Sequence, residues 1–287
     1  MNIDLIKREL KTHFIGKFNI PDVLSYIDEI DSFKVLKYKN LILKIYYKST
    51  DNLDFNFIKR VLRRGAYILK KKQIIIHLIP SPAKKLLKTD GIMTSENINS
   101  GFTYIKRNEI YIFRREEFPK VILHELIHHD HNIHHDEFKK ENEILLRNHF
   151  KLTDETTLIL NEAMIELWAS LYQLAFVSID YKIEFKKLYE MEMKYNLYKC
   201  HQILNIQKDN YWDDRCNIYS YIIFKTILFL NLNEFIKKYR YPHKYDDSIL
   251  TQFLIKHSKL SCDGENPEYL NKKRPDNSLC FMLFSDF

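Results

Sequence analysis

The chain has 287 residues, 45% of them hydrophobic and 14% aromatic, and a formal net charge of +7. That is enough apolar material for one large core or two smaller ones, and it excludes a long disordered chain. The positive charge is dispersed: the basic runs of three, Lys70-Lys71-Lys72 and Lys272-Lys273-Arg274, are too short for a nucleic-acid tail and read as solvated surface.

In chain order, Ile3, Ile6 and Leu10 predict a helix over residues 1–14, and residues 21–30 a second, shorter one. Residues 33–36 and 41–47 read as strands joined through a Lys39-Asn40 turn. Phe57, Ile58, Val61 and Leu62 give helical spacing within 53–69. The β-branched run QIIIHLI at 73–79 predicts a buried strand, which Pro80 and Pro82 end. Residues 81–100 read as loop with one helical turn at 83–87. Residues 101–106 and 109–114 alternate about Arg107-Asn108 and predict two antiparallel strands, one of which can serve as a sheet edge for an extended peptide.

From residue 119 onward the pattern is helical, over 154–177, 181–204, 217–240 and 248–256, with an irregular tail from Ser261. The shift near Pro119 predicts an α+β fold: an N-terminal α/β part with a small sheet over 1–118, and a helical part over 119–287.

Cys200, Cys216, Cys262 and Cys280 form no CxxC pair, so a structural zinc site is not indicated and free thiols in a reducing compartment are. The first ten residues, MNIDLIKREL, lack the apolar core of a signal peptide. The longest apolar run, 219–232, is broken by Ser220, Lys225, Thr226 and Asn231 and cannot span a bilayer. These features lead to the expectation of a soluble, intracellular, cytoplasmic protein without membrane or nucleic-acid partners.

Residues 119–135, PKVILHELIHHDHNIHH, contain His124-Glu125-Leu126-Ile127-His128, the HExxH pattern. Residues four apart share a helix face, about 6 Å apart, so His124 and His128 can offer imidazoles to one metal ion. Glu125 stands beside the first of them, where a carboxylate can act as general base. Pro119 suits a first helical turn, and Glu116 and Glu117 precede it on the side that favours acids. Val121, Ile122, Leu123, Leu126 and Ile127 make the helix a buried one, in which two histidines and a glutamate are costly without partners.

Catalytic zinc commonly has three protein ligands and one open position. Glu162, in Asn161-Glu162-Ala163-Met164-Ile165-Glu166, is one candidate for the third. Glu162 and Glu166 share a face of an apolar helix, where two carboxylates repel unless a cation lies between them. Glu166 can then orient a ligand histidine through its ring N–H. His134 is the other candidate, ten residues after His124, at the spacing of HExxHxxGxxH. His131 occupies the position of that motif's glycine, and Asn132 beside it can take the left-handed turn.

HELIH followed by NEAMIE resembles the gluzincin metallopeptidases, the thermolysin-like family. The likeness covers residues 119–168 and carries over to His124, Glu125, His128, Glu162 and Glu166. It implies zinc held by two histidines and Glu162, with Glu125 as base. Glu162 lies 34 residues beyond His128, a longer separation than in thermolysin-like enzymes. The run SGFTYIKRNEIYIFRREEFPKVILHELIHH is also similar to predicted peptidases of large DNA viruses, which would place the chain in an infected host cell.

The expected activity is zinc-dependent hydrolysis of peptide bonds in a protein or peptide, at a metal site in the cleft between the two parts. Tyr219, Tyr221, His201 and His243 are candidate oxyanion donors, with Tyr221 preferred; it lies on a polar stripe with Asn217 and Lys225 at four-residue spacing. Two other functions stay open: an inactive binding protein docking an acidic partner or nucleic acid, and hydrolysis of a non-peptide amide.

Overall fold

The computed structural model describes residues 2–15, 18–69, 72–88, 92–131, 139–207, 210–239, 246–260 and 277–284. In chain order its elements are α1 (Ile3–Phe14), α2 (Pro21–Glu29), β1 (Ser32–Tyr38), β2 (Leu41–Tyr47), α3 (Phe55–Ile68), β3 (Ile74–Leu78), β4 (Met93–Thr94), α4 (Ser95–Ile98), β5 (Gly101–Tyr104), β6 (Glu109–Ile112), α5 (Phe118–His131), α6 (Lys140–Phe150), α7 (Leu160–Tyr181), α8 (Phe185–Gln207), β7 (Asp214–Arg215), α9 (Lys225–Leu230), α10 (Leu232–Lys238) and α11 (Asp247–Lys256). The fold is α+β, a small mixed sheet followed by helices.

The chain forms two compact units. The first contains α1–α3, β1–β3, β5, β6 and α5; the second contains β4, α4, β7 and α6–α11. The division expected between residues 118 and 119 therefore falls elsewhere, because α5 belongs with the sheet.

The sheet of the first unit runs β1-β2-β3-β6-β5. Its outer pairs, β1–β2 and β5–β6, are antiparallel, and the inner pairs β2–β3 and β3–β6 are parallel. The two tight connections use left-handed residues, Lys39 (φ 49°) and Asn108 (φ 54°), in the turns read from sequence. Successive strand residues point to opposite faces. Tyr46, Tyr111 and Phe113 meet Ile6, Leu10, Phe14, Val23 and Ile27 of α1 and α2 on one face.

On the other face lie α3 and α5, and two glycines let them close in. A Cβ at Gly65 of α3 would stand 2.8 Å from Leu126 Cδ1 and 3.2 Å from Leu41 Cδ1. A Cβ at Gly101 of β5 would stand 2.9 Å from Val121 Cγ1, 2.8 Å from Ile112 Cδ1 and 3.1 Å from the Tyr111 carbonyl oxygen. Val121, Ile122, Leu123, Leu126 and Ile127 are all buried, as their spacing implied.

The start of α5 is set by charge pairing. Glu117 sits at φ 59°, a left-handed conformation that costs about 1–3 kcal/mol in a non-glycine residue. Its carboxylate accepts from Lys85 Nζ at 2.6 Å, both side chains fully buried, while Glu116 accepts from the Lys85 amide. Desolvation raises the Glu116 pKa above the usual carboxylate range. The two acids expected simply to favour the helix dipole are thus tied to Lys85. That also corrects the helical turn expected at 83–87. The amides of Lys85 and Leu87 donate to Glu116 and to the Asn277 carbonyl instead of to a preceding turn. The helical turn of this stretch is α4.

In the second unit α7 packs on α8 and α9, and α6 on α11. The helix expected over 217–240 is broken. A π-helical turn, Ser220–Phe224, precedes α9, and Asn231 separates α9 from α10, its amide group donating to the Ile227 carbonyl. Among the described residues no helix is long and apolar enough to cross a membrane. Cys200, Cys216 and Cys280 are buried. Cys262, Lys70, Lys71, residues 272–274 and the tail over 261–276 lie outside the described residues.

Two outcomes follow from the first unit. Gly101→Ala forces the stiff Val121 and the Tyr111 backbone aside, and a loss of about 1–3 kcal/mol in denaturant unfolding is expected; unchanged stability would mean that β5 and α5 do not pack this closely. His77 is buried and stacked on Tyr111 at 4.3 Å, and burial depresses its pKa to about 3. The unfolded chain therefore binds a proton below about pH 6.5 that the folded chain refuses. Stability should be full above that pH and fall by about 1.4 kcal/mol per unit toward pH 3, with a shallower slope in His77→Phe.

Candidate metal centre

His124, Glu125 and His128 are all buried on α5. The two imidazoles lie one turn apart on one face, ring centroids 5.2 Å apart and planes at 63°. Lys120 is a further turn back on the same face, also buried. Sequence reading passed over it, although its four-residue spacing from His124 was visible.

Glu162 and Glu166 are buried on α7, one turn apart. This helix starts later than the residue 154 expected from sequence. Asn217 accepts from the Ile159 amide at 2.9 Å and donates to the Ile159 carbonyl at 3.3 Å, while the Thr157 amide donates to the Asp214 carbonyl at 2.9 Å. These bonds hold 157–159 out of helical register, so α7 begins at Leu160 and Glu162 falls in its first turn. A carboxylate there gains from the positive end of the helix dipole.

Among the described residues, His124, His128 and Glu162 form one group that could hold a metal ion: one ligand atom from each lies within 4.8 Å of the others. Tetrahedral ligands at about 2.0–2.2 Å from a shared zinc stand roughly 3.3–3.6 Å apart. Two nitrogens and one carboxylate oxygen, all buried, are a donor set that catalytic zinc accepts.

His129, next to the second ligand candidate, takes another role. Its Nε2 hydrogen-bonds the Thr103 hydroxyl, which in turn donates to the Glu109 carbonyl at 3.1 Å. The helix is thereby tied to β5, the strand at the sheet's edge beside it. A polar residue mid-strand facing a histidine-rich helix was the signal for this tie. Burial lowers the His129 pKa to about 4, so the ring is neutral at physiological pH.

Of the other expected residues, His134 and His243 lie outside the described residues. Tyr221 is on the π-helical turn, its ring stacked on Phe281 at 5.1 Å. Tyr219 is buried and donates to Gln207 Oε1 at 3.2 Å, and His201 pairs with the Asn205 amide at 2.7 Å on α8. The stripe of Asn217, Tyr221 and Lys225 is largely interior: Asn217 and Lys225 are buried.

No family model, curated protein or solved structure matches the chain.

Metal analysis tests the ligand set. Protein saturated with zinc and dialysed should retain one equivalent. Glu162→Ala is expected to lose it and His134→Ala to keep it; the opposite pattern would assign the third ligand to His134.

Proposed function

We propose that this chain hydrolyses peptide bonds in a protein or peptide substrate, with zinc held by His124, His128 and Glu162. The observation that carries the reading is the grouping of those three buried side chains, with Glu125 next to the first in sequence. Bound there, zinc supplies Lewis acidity, which makes water nucleophilic near neutral pH and polarises a carbonyl.

The chain's own groups do the rest. Glu125 accepts a proton from the attacking water as its oxygen bonds to the carbonyl carbon. The same proton passes from Glu125 to the amide nitrogen as the C–N bond breaks, so one carboxylate serves as base and then as acid. We assign Glu166, one turn beyond Glu162 on the same buried face, to orienting a ligand imidazole. β5 supports an extended mode of substrate binding, since it forms the edge of its sheet and is fixed to α5 through Thr103 and His129. Tyr221 enters as candidate donor to the developing oxyanion.

Glu125→Gln keeps size and removes basicity. Its zinc content should equal that of the parent, and hydrolysis of a generic protein substrate should fall by about 10²–10⁴-fold; parental turnover would exclude Glu125 as the base. Tyr221→Phe keeps the ring stack on Phe281 and removes the hydroxyl. A kcat lower by about 10²–10³ with unchanged KM and melting temperature is expected, whereas an unchanged kcat would assign the oxyanion contact to another residue.

A further inference from the structure

The strand order gathers cations that the sequence spaces out between residues 39 and 107, too far apart to show as a run. β1 and β5 end, and β2, β3 and β6 start, at one end of the first unit's sheet. The segments there are the turn of Lys39 and Asn40, the approach of Lys72 and Gln73 to β3, and the turn Ile105–Arg107. Lys39, Lys72, Lys106 and Arg107 are exposed on them, and Arg63 is exposed on α3 beside the end of β1. In the strand order the turns of Lys39, Lys72 and Arg107 follow one another at roughly 7 Å, since neighbouring strands lie about 4.8 Å apart.

None of these side chains is ion-paired with a described carboxylate. At the opposite end of the sheet charge is mixed, and Lys48 pairs with Glu29 at 2.9 Å. Glu109, the first residue of β6, accepts from the Tyr111 hydroxyl at 3.3 Å. A scattered lysine is cheap in water, whereas a closely spaced row of one sign repels itself and attracts a polyanion.

Tyrosine rings stand among the cations. Lys39 Nζ lies 5.7 Å from the ring centroid of Tyr38 and 5.6 Å from that of Tyr67, and the Arg63 guanidinium lies 5.9 Å from Tyr38. Arg107 lies 5.3 Å from the Tyr104 ring, and Tyr67 is 69% exposed. A single strand can lay its bases on such rings while its phosphates meet the cations; a duplex, whose bases are stacked inside, cannot.

We propose that this end of the sheet binds single-stranded nucleic acid, its phosphates along Lys39, Lys72 and Arg107 and its bases against Tyr38 and Tyr67. The inference stands apart from the metal centre and from any hydrolytic activity.

The test is fluorescence anisotropy of a labelled oligothymidylate with the full chain over a range of salt. Binding should saturate, and log K should fall against log salt with a slope of about −2 to −3.5, as three to five phosphate contacts require. Lys39→Ala, Lys72→Ala and Arg107→Ala combined should weaken binding about tenfold or more and flatten the slope by about 2. Tyr67→Ala should weaken it about fivefold or more and leave the slope unchanged. Lys186→Ala, Lys187→Ala and Lys194→Ala combined remove the same charge from exposed positions of α8 and should change neither value. An equal loss in that control would assign binding to net charge and overturn the proposal. Absence of saturable binding would overturn it too, as would tighter binding of a duplex, a phosphatidylserine vesicle or polyglutamate than of the single strand. Ultraviolet cross-linking of the parent to a 4-thiothymidine strand needs no variant: adducts at Tyr38, Tyr67 or Tyr104 are expected, and adducts confined elsewhere would contradict the proposed site.

Discussion

The structure depends on burying α5, a helix that carries two imidazoles and a carboxylate, against α3 and the sheet. An apolar helix would pack there without cost, whereas this one takes polar groups into the interior, where each needs a partner. Two residues without side chains make the approach possible: Gly65 faces Leu126, and Gly101 faces Val121. At its start α5 is fixed by the Lys85–Glu117 pair, and near its end by the bond from His129 to Thr103. Held on three sides, the helix presents His124 and His128 in one orientation. That prior ordering is what a metal site or a catalytic group requires, because the entropy of positioning is lost during folding.

Much of this was legible in sequence, for physical reasons. The strands of the sheet alternate or are β-branched, and period two allows one assignment of faces. HExxH states its own geometry, since four residues make about one helical turn. The apolar run around it signals burial, and that burial gives the histidines their meaning. The pairing of Glu162 with Glu166 was visible in the same way, as two acids on one face of a greasy helix.

What was not legible depends on bonds between residues far apart in the chain. Nothing local says that α7 starts at Leu160; Asn217 decides that by clamping Ile159 from 58 residues away. Nothing local keeps 83–87 extended; Glu116 and Asn277 take its amides. A polar stripe such as Asn217, Tyr221 and Lys225 gives no local sign of burial, because lysine is usually solvated. In the fold, Lys225 donates inward to Asn196 and to the Phe281 carbonyl. Hydropathy patterns register the cost of burying a charge, and they are blind to a distant carbonyl that offsets it.

The central claim is that the buried histidines of α5 and the acid of α7 exist to share one divalent cation. Diffraction from zinc-soaked crystals, recorded on both sides of the zinc absorption edge, tests it most directly. The expected result is one anomalous peak bonded to ring nitrogens of His124 and His128 and to the Glu162 carboxylate, at about 2.0–2.2 Å. Fully occupied zinc at other residues, with none beside His124 and His128, would contradict it.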